Sequence, residues 1–99
     1  MVNLPEYKLD LIPTDQKSVE SRKFSELCWH ELGKRWKVGG SPTFIQNEEW
    51  PKCECCGEKM SFYAQLDTVG EKFDIADCGL IYVFICFDCY TTKSIIQSY

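Results

Sequence analysis

Histidine is nearly missing from this sequence. Of 99 residues only His30 is one, and it lies in a charged stretch. That scarcity removes the usual general base. No Ser-His-Asp arrangement can be assembled, and no paired carboxylates stand beside a histidine at helical spacing. Basic charge is also short. Eleven Lys and Arg stand against fifteen Asp and Glu, a net charge of −4. A nucleic-acid binder that works by displacing counterions is therefore not expected. The one basic cluster, Lys34, Arg35 and Lys37, reads as the solvated end of a helix, where cations suit the dipole. No apolar run approaches the ~20 residues of a membrane span. Met1 to Leu11 carries Glu6, Lys8 and Asp10 in place of the apolar stretch of a secretory signal. The expected location is the cytoplasm, with no membrane partner. Internal repeats and low-complexity tracts are lacking too.

Cysteine, by contrast, is abundant, with seven residues. Disulfides do not persist in a reducing compartment, and an odd count fits a disulfide framework badly. Paired cysteines in such a chain point to metal. A domain this short has a thin core and often relies on a metal staple. The 14% aromatic content supplies what core there is.

The chain reads as one zinc-stabilised domain, 1–99, of α+β class, mainly antiparallel sheet with one N-terminal helix. Residues 1–16 form an extended arm. Pro5 and Pro13 discourage helix there, and Tyr7, Leu9 and Leu11 alternate with Lys8 and Asp10. Residues 18–36 are expected to be helical, because Phe24, Leu27, Cys28 and Leu32 make one apolar stripe behind the caps Ser18 and Ser21. Gly39-Gly40-Ser41-Pro42 breaks the chain. It lacks the Lys-Ser or Lys-Thr of a phosphate loop, so a turn is expected. Thr43 to Gln46 is a short strand candidate. Ser61 to Asp67 alternates, with Phe62, Ala64 and Leu66 expected on the buried side. Leu80 to Phe87 is continuously apolar and is expected to be the central strand, buried on both faces. Thr91 to Tyr99 is a last extended segment.

Cys53-Glu54-Cys55-Cys56-Gly57 and Cys86-Phe87-Asp88-Cys89 are two C-x-x-C units. Two intervening residues let a tight turn aim both sulfurs at one point, about 2.3 Å from a zinc ion in tetrahedral geometry. Gly57 suits a position that needs positive φ. The C-x-x-C-G frame selects Cys53 and Cys56 over Cys55. A hairpin between the units would bring Cys53, Cys56, Cys86 and Cys89 around one structural zinc, closing its shell with four thiolates. A redox C-x-x-C belongs at a helix N-terminus, and Tyr90-Thr91-Thr92 is a poor helix start. An iron–sulfur cluster also takes four thiolates, but zinc dominates closed sites of this type. Cys28, Cys55 and Cys78 are left over.

Several strings then look familiar in order and spacing. They are Gly39-Gly40-x-Pro42-x-Phe44-Ile45-Gln46, the first cysteine unit with Met60, Phe62 and Gln65-Leu66-Asp67, and Asp77-x-Gly79-x-x-Tyr82-Val83-Phe84-x-Cys86-x-x-Cys89, closing with Gln97-x-Tyr99. Over residues 38–99 they resemble the bacterial YwqG-like family of uncharacterised proteins. More distantly they resemble the programmed cell death protein 2 family of eukaryotes. Phe44 stands where the family often has Trp, and typical members carry a longer N-terminal region. The resemblance implies a β-rich α+β fold with no established activity. It also implies client binding, chaperone-like in the eukaryotic relatives and immunity-type where bacterial relatives adjoin toxin genes. The shorter N-terminal part would leave a sheet edge or apolar face for a partner to cover.

The functional expectation is a non-enzymatic protein-interaction module with a structural zinc, its partner another protein or a second copy in a homodimer. Trp36, Trp50, Tyr63 and Tyr90 flank the glycine turn and the cysteine pairs. They are read either as partner-binding anchors or as core covering the zinc site. The alternative function is a thiol-based redox enzyme or sensor using Cys55 or Cys78.

Overall fold

A computed structural model describes residues 2–16, 35–68, 75 and 79–98. The elements that lie wholly among them are strands: β1 (Tyr7–Lys8), β2 (Lys37–Val38), β3 (Ser61–Asp67), β4 (Leu80–Ile85) and β5 (Thr92–Gln97). They form one five-stranded sheet in the order β1-β2-β3-β4-β5, each neighbouring pair antiparallel. No helix among the described residues is long and apolar enough to cross a membrane. The helix expected over 18–36 falls on residues outside the described ones, apart from its last two. Arg35 and Trp36 are not helical. The Trp36 carbonyl accepts from the Leu9 N–H at 3.0 Å, which extends the β1–β2 ladder. Cys28, His30 and Cys78 also lie outside the described residues.

Gly39 and Gly40 turn the chain out of β2 with φ of 75° and 70°. A side chain on Gly39 would collide with the Pro5 carbonyl oxygen, so only glycine fits where the arm crosses.

The alternation of β3 does not run through its length. A bulge at Tyr63 shifts the register, so that Phe62 faces Phe84, Ala64 faces Val83 and Gln65 faces Tyr82. One extra residue reverses the face of everything after it. Phe62 is buried as expected, but beyond the bulge Gln65 and Asp67 take the same core face. Ala64 and Leu66 turn to the opposite one, where Ala64 is still buried and Leu66 half-buried. The core face therefore carries Phe62, Leu80, Tyr82 and Phe84, joined by Met60, Cys53 and Cys86. Burying each large apolar side chain contributes roughly 1.5–3 kcal/mol. Strand β4 ends at Ile85, short of Phe87, because the second cysteine turn begins there. Its burial alternates between full and half, so only one of its faces is fully covered.

The lid over this core is the irregular segment 43–50. Phe44, Ile45 and Trp50 pack on the buried cluster. Phe44 sits 5.2 Å from the Tyr82 ring, and Trp50 meets Phe84 edge-on at 5.5 Å. Thr43 to Gln46 is not a strand. Its backbone groups are satisfied by side chains that reach up from the sheet. Gln65 Oε1 accepts from the Thr43 N–H at 3.0 Å, and Gln65 Nε2 donates to the Arg35 carbonyl at 2.6 Å. The Tyr82 hydroxyl donates to the Thr43 carbonyl at 2.8 Å and accepts from the Ile45 N–H at 3.3 Å. Gln97 Oε1 accepts from the Gln46 N–H at 3.0 Å, while its Nε2 donates to the Asn47 carbonyl at 2.7 Å. One polar residue from each of β3, β4 and β5 thus stitches the lid down.

Arg35, read from sequence as part of a solvated cationic end, instead forms an internal ion pair. Its NH2 and Nε groups reach the two oxygens of Asp67 at 2.6 and 3.1 Å, and its backbone N–H adds a third bond at 3.0 Å. The Asp67 side chain is fully buried. Lys37 pairs with Glu6 at 3.0 Å on the surface.

Candidate metal centre

Strand pairing brings the two cysteine units together. Ser61 opposite Ile85 places the start of β3 and the end of β4 at one end of the sheet. The first unit is the small hairpin that leads into β3, closed by the Lys52–Lys59 bridge. The second unit is the turn of the β4–β5 hairpin.

The two turns are built alike. In the first, the Cys53 N–H donates to the Glu58 carbonyl at 2.8 Å and the Gly57 N–H donates to the Cys53 carbonyl at 2.7 Å. In the second, the Cys86 N–H donates to the Thr91 carbonyl at 2.9 Å and the Tyr90 N–H to the Cys86 carbonyl at 2.7 Å. The residue four positions after the first cysteine has positive φ in both, 70° at Gly57 and 60° at Tyr90. Glycine adopts this conformation freely. Tyrosine does so against steric resistance of roughly 1–2 kcal/mol. Tyr90 was not marked by sequence as Gly57's counterpart, although its equal offset from the first cysteine carries that signal.

The Sγ atoms of Cys53, Cys56, Cys86 and Cys89 all lie within 4.8 Å of one another. Two close contacts cross between the turns, 3.4 Å from Cys53 to Cys89 and 3.7 Å from Cys86 to Cys56. A tetrahedron with metal–sulfur bonds of ~2.3 Å has edges of about 3.8 Å. The cluster therefore has the size of a tetrathiolate metal site. Cys53 and Cys86 are buried against the core, while Cys56 and Cys89 face outward.

The thiols also differ electrostatically. Cys89 is lowered to about 6, first by hydrogen bonding from the Thr91 hydroxyl, 3.1 Å away, and then from the Thr91 backbone N–H. Cys56 is raised, chiefly by its hydrogen bond with Cys86 and then by desolvation. Cys55 is exposed, outside the four-sulfur group, and is raised by the nearby charges of Cys89 and Cys53. So many thiols in one place resist joint ionisation, and a bound cation would remove that resistance. Thr91 is a functional residue that the sequence reading missed. Across the site, the Lys93 ammonium lies 3.7 Å from Glu54 and 3.5 Å from the Lys52 carbonyl, tying β5 to the first turn.

The aromatic residues separate into two kinds. Trp50 is half-buried over the core, with Lys59 on its outer face at 4.7 Å. Trp36 is half-buried, and its indole N–H is buried with no partner among the described residues. Tyr63 and Tyr90 are exposed, at 43% and 71%.

No family model matches this chain, and no solved structure matches it. The chain is similar to a protein of Salmonella typhimurium strain LT2 described as uncharacterized protein YpfL, with 37% identity over 62 residues. That stretch is 62% of this chain, which spans only 14% of the length of that curated relative.

Proposed function

We propose that this chain is a non-enzymatic binding module whose sheet is stapled by one structural zinc ion, held by Cys53, Cys56, Cys86 and Cys89. The observation that carries the reading is the mutual approach of the four sulfurs, with cross-turn contacts of 3.4 and 3.7 Å. Thiolate donors in a tetrahedral set favour zinc among the common divalent ions. Four protein ligands leave no coordination position for a substrate, so the metal's role is to hold the two hairpins together.

The binding surface in this reading includes Tyr90. Its ring is exposed although its backbone holds a conformation that favours glycine, so burial does not account for the tyrosine. The partner is a protein client, of the chaperone-like or immunity-type kind that the YwqG-like resemblance implies.

The test is metal analysis of protein purified without added metal. One zinc per chain is expected, retained in Cys55→Ser and lost in Cys86→Ser. Cobalt(II) in its place should give the ligand-field bands of a tetrahedral thiolate complex. A metal-free, fully folded chain would overturn the reading.

A further inference from the structure

Among the described residues the sheet has two unequal edges. Strand β1 is two residues long and is flanked by the Lys37–Glu6 pair, a short charged edge of the kind that discourages pairing. Strand β5 is six residues long, Thr92-Lys93-Ser94-Ile95-Ile96-Gln97, without proline, glycine or bulge. Hydrogen bonding in an antiparallel pair alternates along the strand. The bond from the Cys86 N–H to the Thr91 carbonyl fixes the phase. Lys93, Ile95 and Gln97, opposite Phe84, Tyr82 and Leu80, turn their backbone groups toward β4. Thr92, Ser94 and Ile96 turn theirs outward, and the side chains of these three are exposed. The strand's one charged residue, Lys93, is drawn toward Glu54 at the cysteine turns. The outward row is therefore uncharged, and Ile96 is 56% exposed within it.

We infer that β5 is the docking edge of this module and that its occupant is a second copy of β5, paired antiparallel about a twofold axis at Ser94. This self-association edge is separate from the client surface at Tyr90, and it rests on the binding-module reading above. The register is self-complementary. Ser94 meets its own copy, and Thr92 meets Ile96 of the other chain. Each of these pairs exchanges two N–H···O bonds using the groups that point outward. Lys93 falls opposite Ile95 of the other chain, so no like charges face each other. Pairing covers Ile96 and joins two five-stranded sheets into one. A single strand pair buries less than the ~1,200 Å² of a standard interface, so the dimer is weak, of order micromolar.

Sedimentation equilibrium of the zinc-loaded full chain, from about 1 µM to several hundred µM, tests this. The wild type should show a reversible monomer–dimer equilibrium. Ser94→Lys places two ammonium groups on the axis, and Ser94→Glu two carboxylates. Each alone should weaken association at least tenfold, and an equimolar mixture of the two should restore it. Ser94→Pro should also give a monomer while staying folded, because the N–H it removes makes no bond to β4. A wild type that stays monomeric throughout would overturn the inference. So would a Ser94→Lys protein that associates as the wild type does, or a mixture with no gain over its components. Zinc content of the same samples keeps the two readings apart: a zinc-loaded monomer removes the pairing alone, and a metal-free dimer removes the zinc site alone.

Discussion

Gln65→Leu isolates the stitching of the lid. Leucine fills nearly the same space, so the cavity contribution is small. Two backbone groups lose their partners, the Arg35 carbonyl and the Thr43 N–H. A buried group left unsatisfied costs about 1–3 kcal/mol, and Thr43, on the exposed side, recovers part of this from water. Added apolar burial offsets about 1 kcal/mol. The net loss should be about 2 kcal/mol, a sizeable share of the roughly 5–15 kcal/mol that holds a domain together. Tyr82→Phe removes the hydroxyl that holds the Thr43 carbonyl and the Ile45 N–H, and should cost about 1–2 kcal/mol. The two losses should not add. Once one stitch is cut and the lid lifts, the second has less to hold, so the double variant should fall short of the sum by at least 0.5 kcal/mol or so. Urea unfolding of the zinc-loaded protein, followed by intrinsic fluorescence with m held constant, measures all three. A Gln65→Leu protein within about 0.5 kcal/mol of wild type, or strictly additive losses, would refute the account.

Four other outcomes are expected. Gly57→Ala should destabilise by about 1 kcal/mol through backbone strain alone, since the added Cβ meets open space. Tyr90→Gly should be neutral or slightly stabilising, because relief of strain there opposes the entropy of the added glycine; urea midpoints compare the two. Arg35→Met should cost about 3 kcal/mol by removing the guanidinium that faces the buried Asp67 carboxylate, and Arg35→Met/Asp67→Leu should recover most of that in the same assay. Zinc binding should displace about one proton fewer per ion above pH 6 than below it. The lowered Cys89 is already a thiolate above its value of about 6 and must shed a proton below it. Chelator competition across pH reads this count, and a constant slope would contradict it.

The four-cysteine cluster was legible in the sequence because C-x-x-C spacing is a local matter: two residues between cysteines force a turn wherever the unit stands. Strands β3 and β4 were legible locally too, β3 from its alternation and β4 from its continuous apolar run, while β5 was expected only as an extended segment. The bulge at Tyr63 was not. Nothing in Phe62-Tyr63-Ala64 distinguishes an even alternation from one with an extra residue, so Leu66 was assigned to the core face where Asp67 belongs. The segment Thr43 to Gln46 was misread because its extended residues suggested ladder bonds. Its bonds come from Gln65, Tyr82 and Gln97, some 22 to 51 residues further along. The partner of Arg35 was hidden likewise, since Asp67 lies 32 residues away and reaches the core face only because of the bulge.

That single extra residue helps give the covered side of the sheet an apolar end and a polar end. Toward the cysteine turns the covered side is aromatic and sulfur-lined; toward the far end it holds a carboxylate, a guanidinium and two amides. The two halves answer to different reagents. Stripping the proposed zinc should first raise amide exchange around Met60 and Phe84, whereas neutralising the carboxylate should loosen Arg35 and Thr68 while the hairpin turns stay protected.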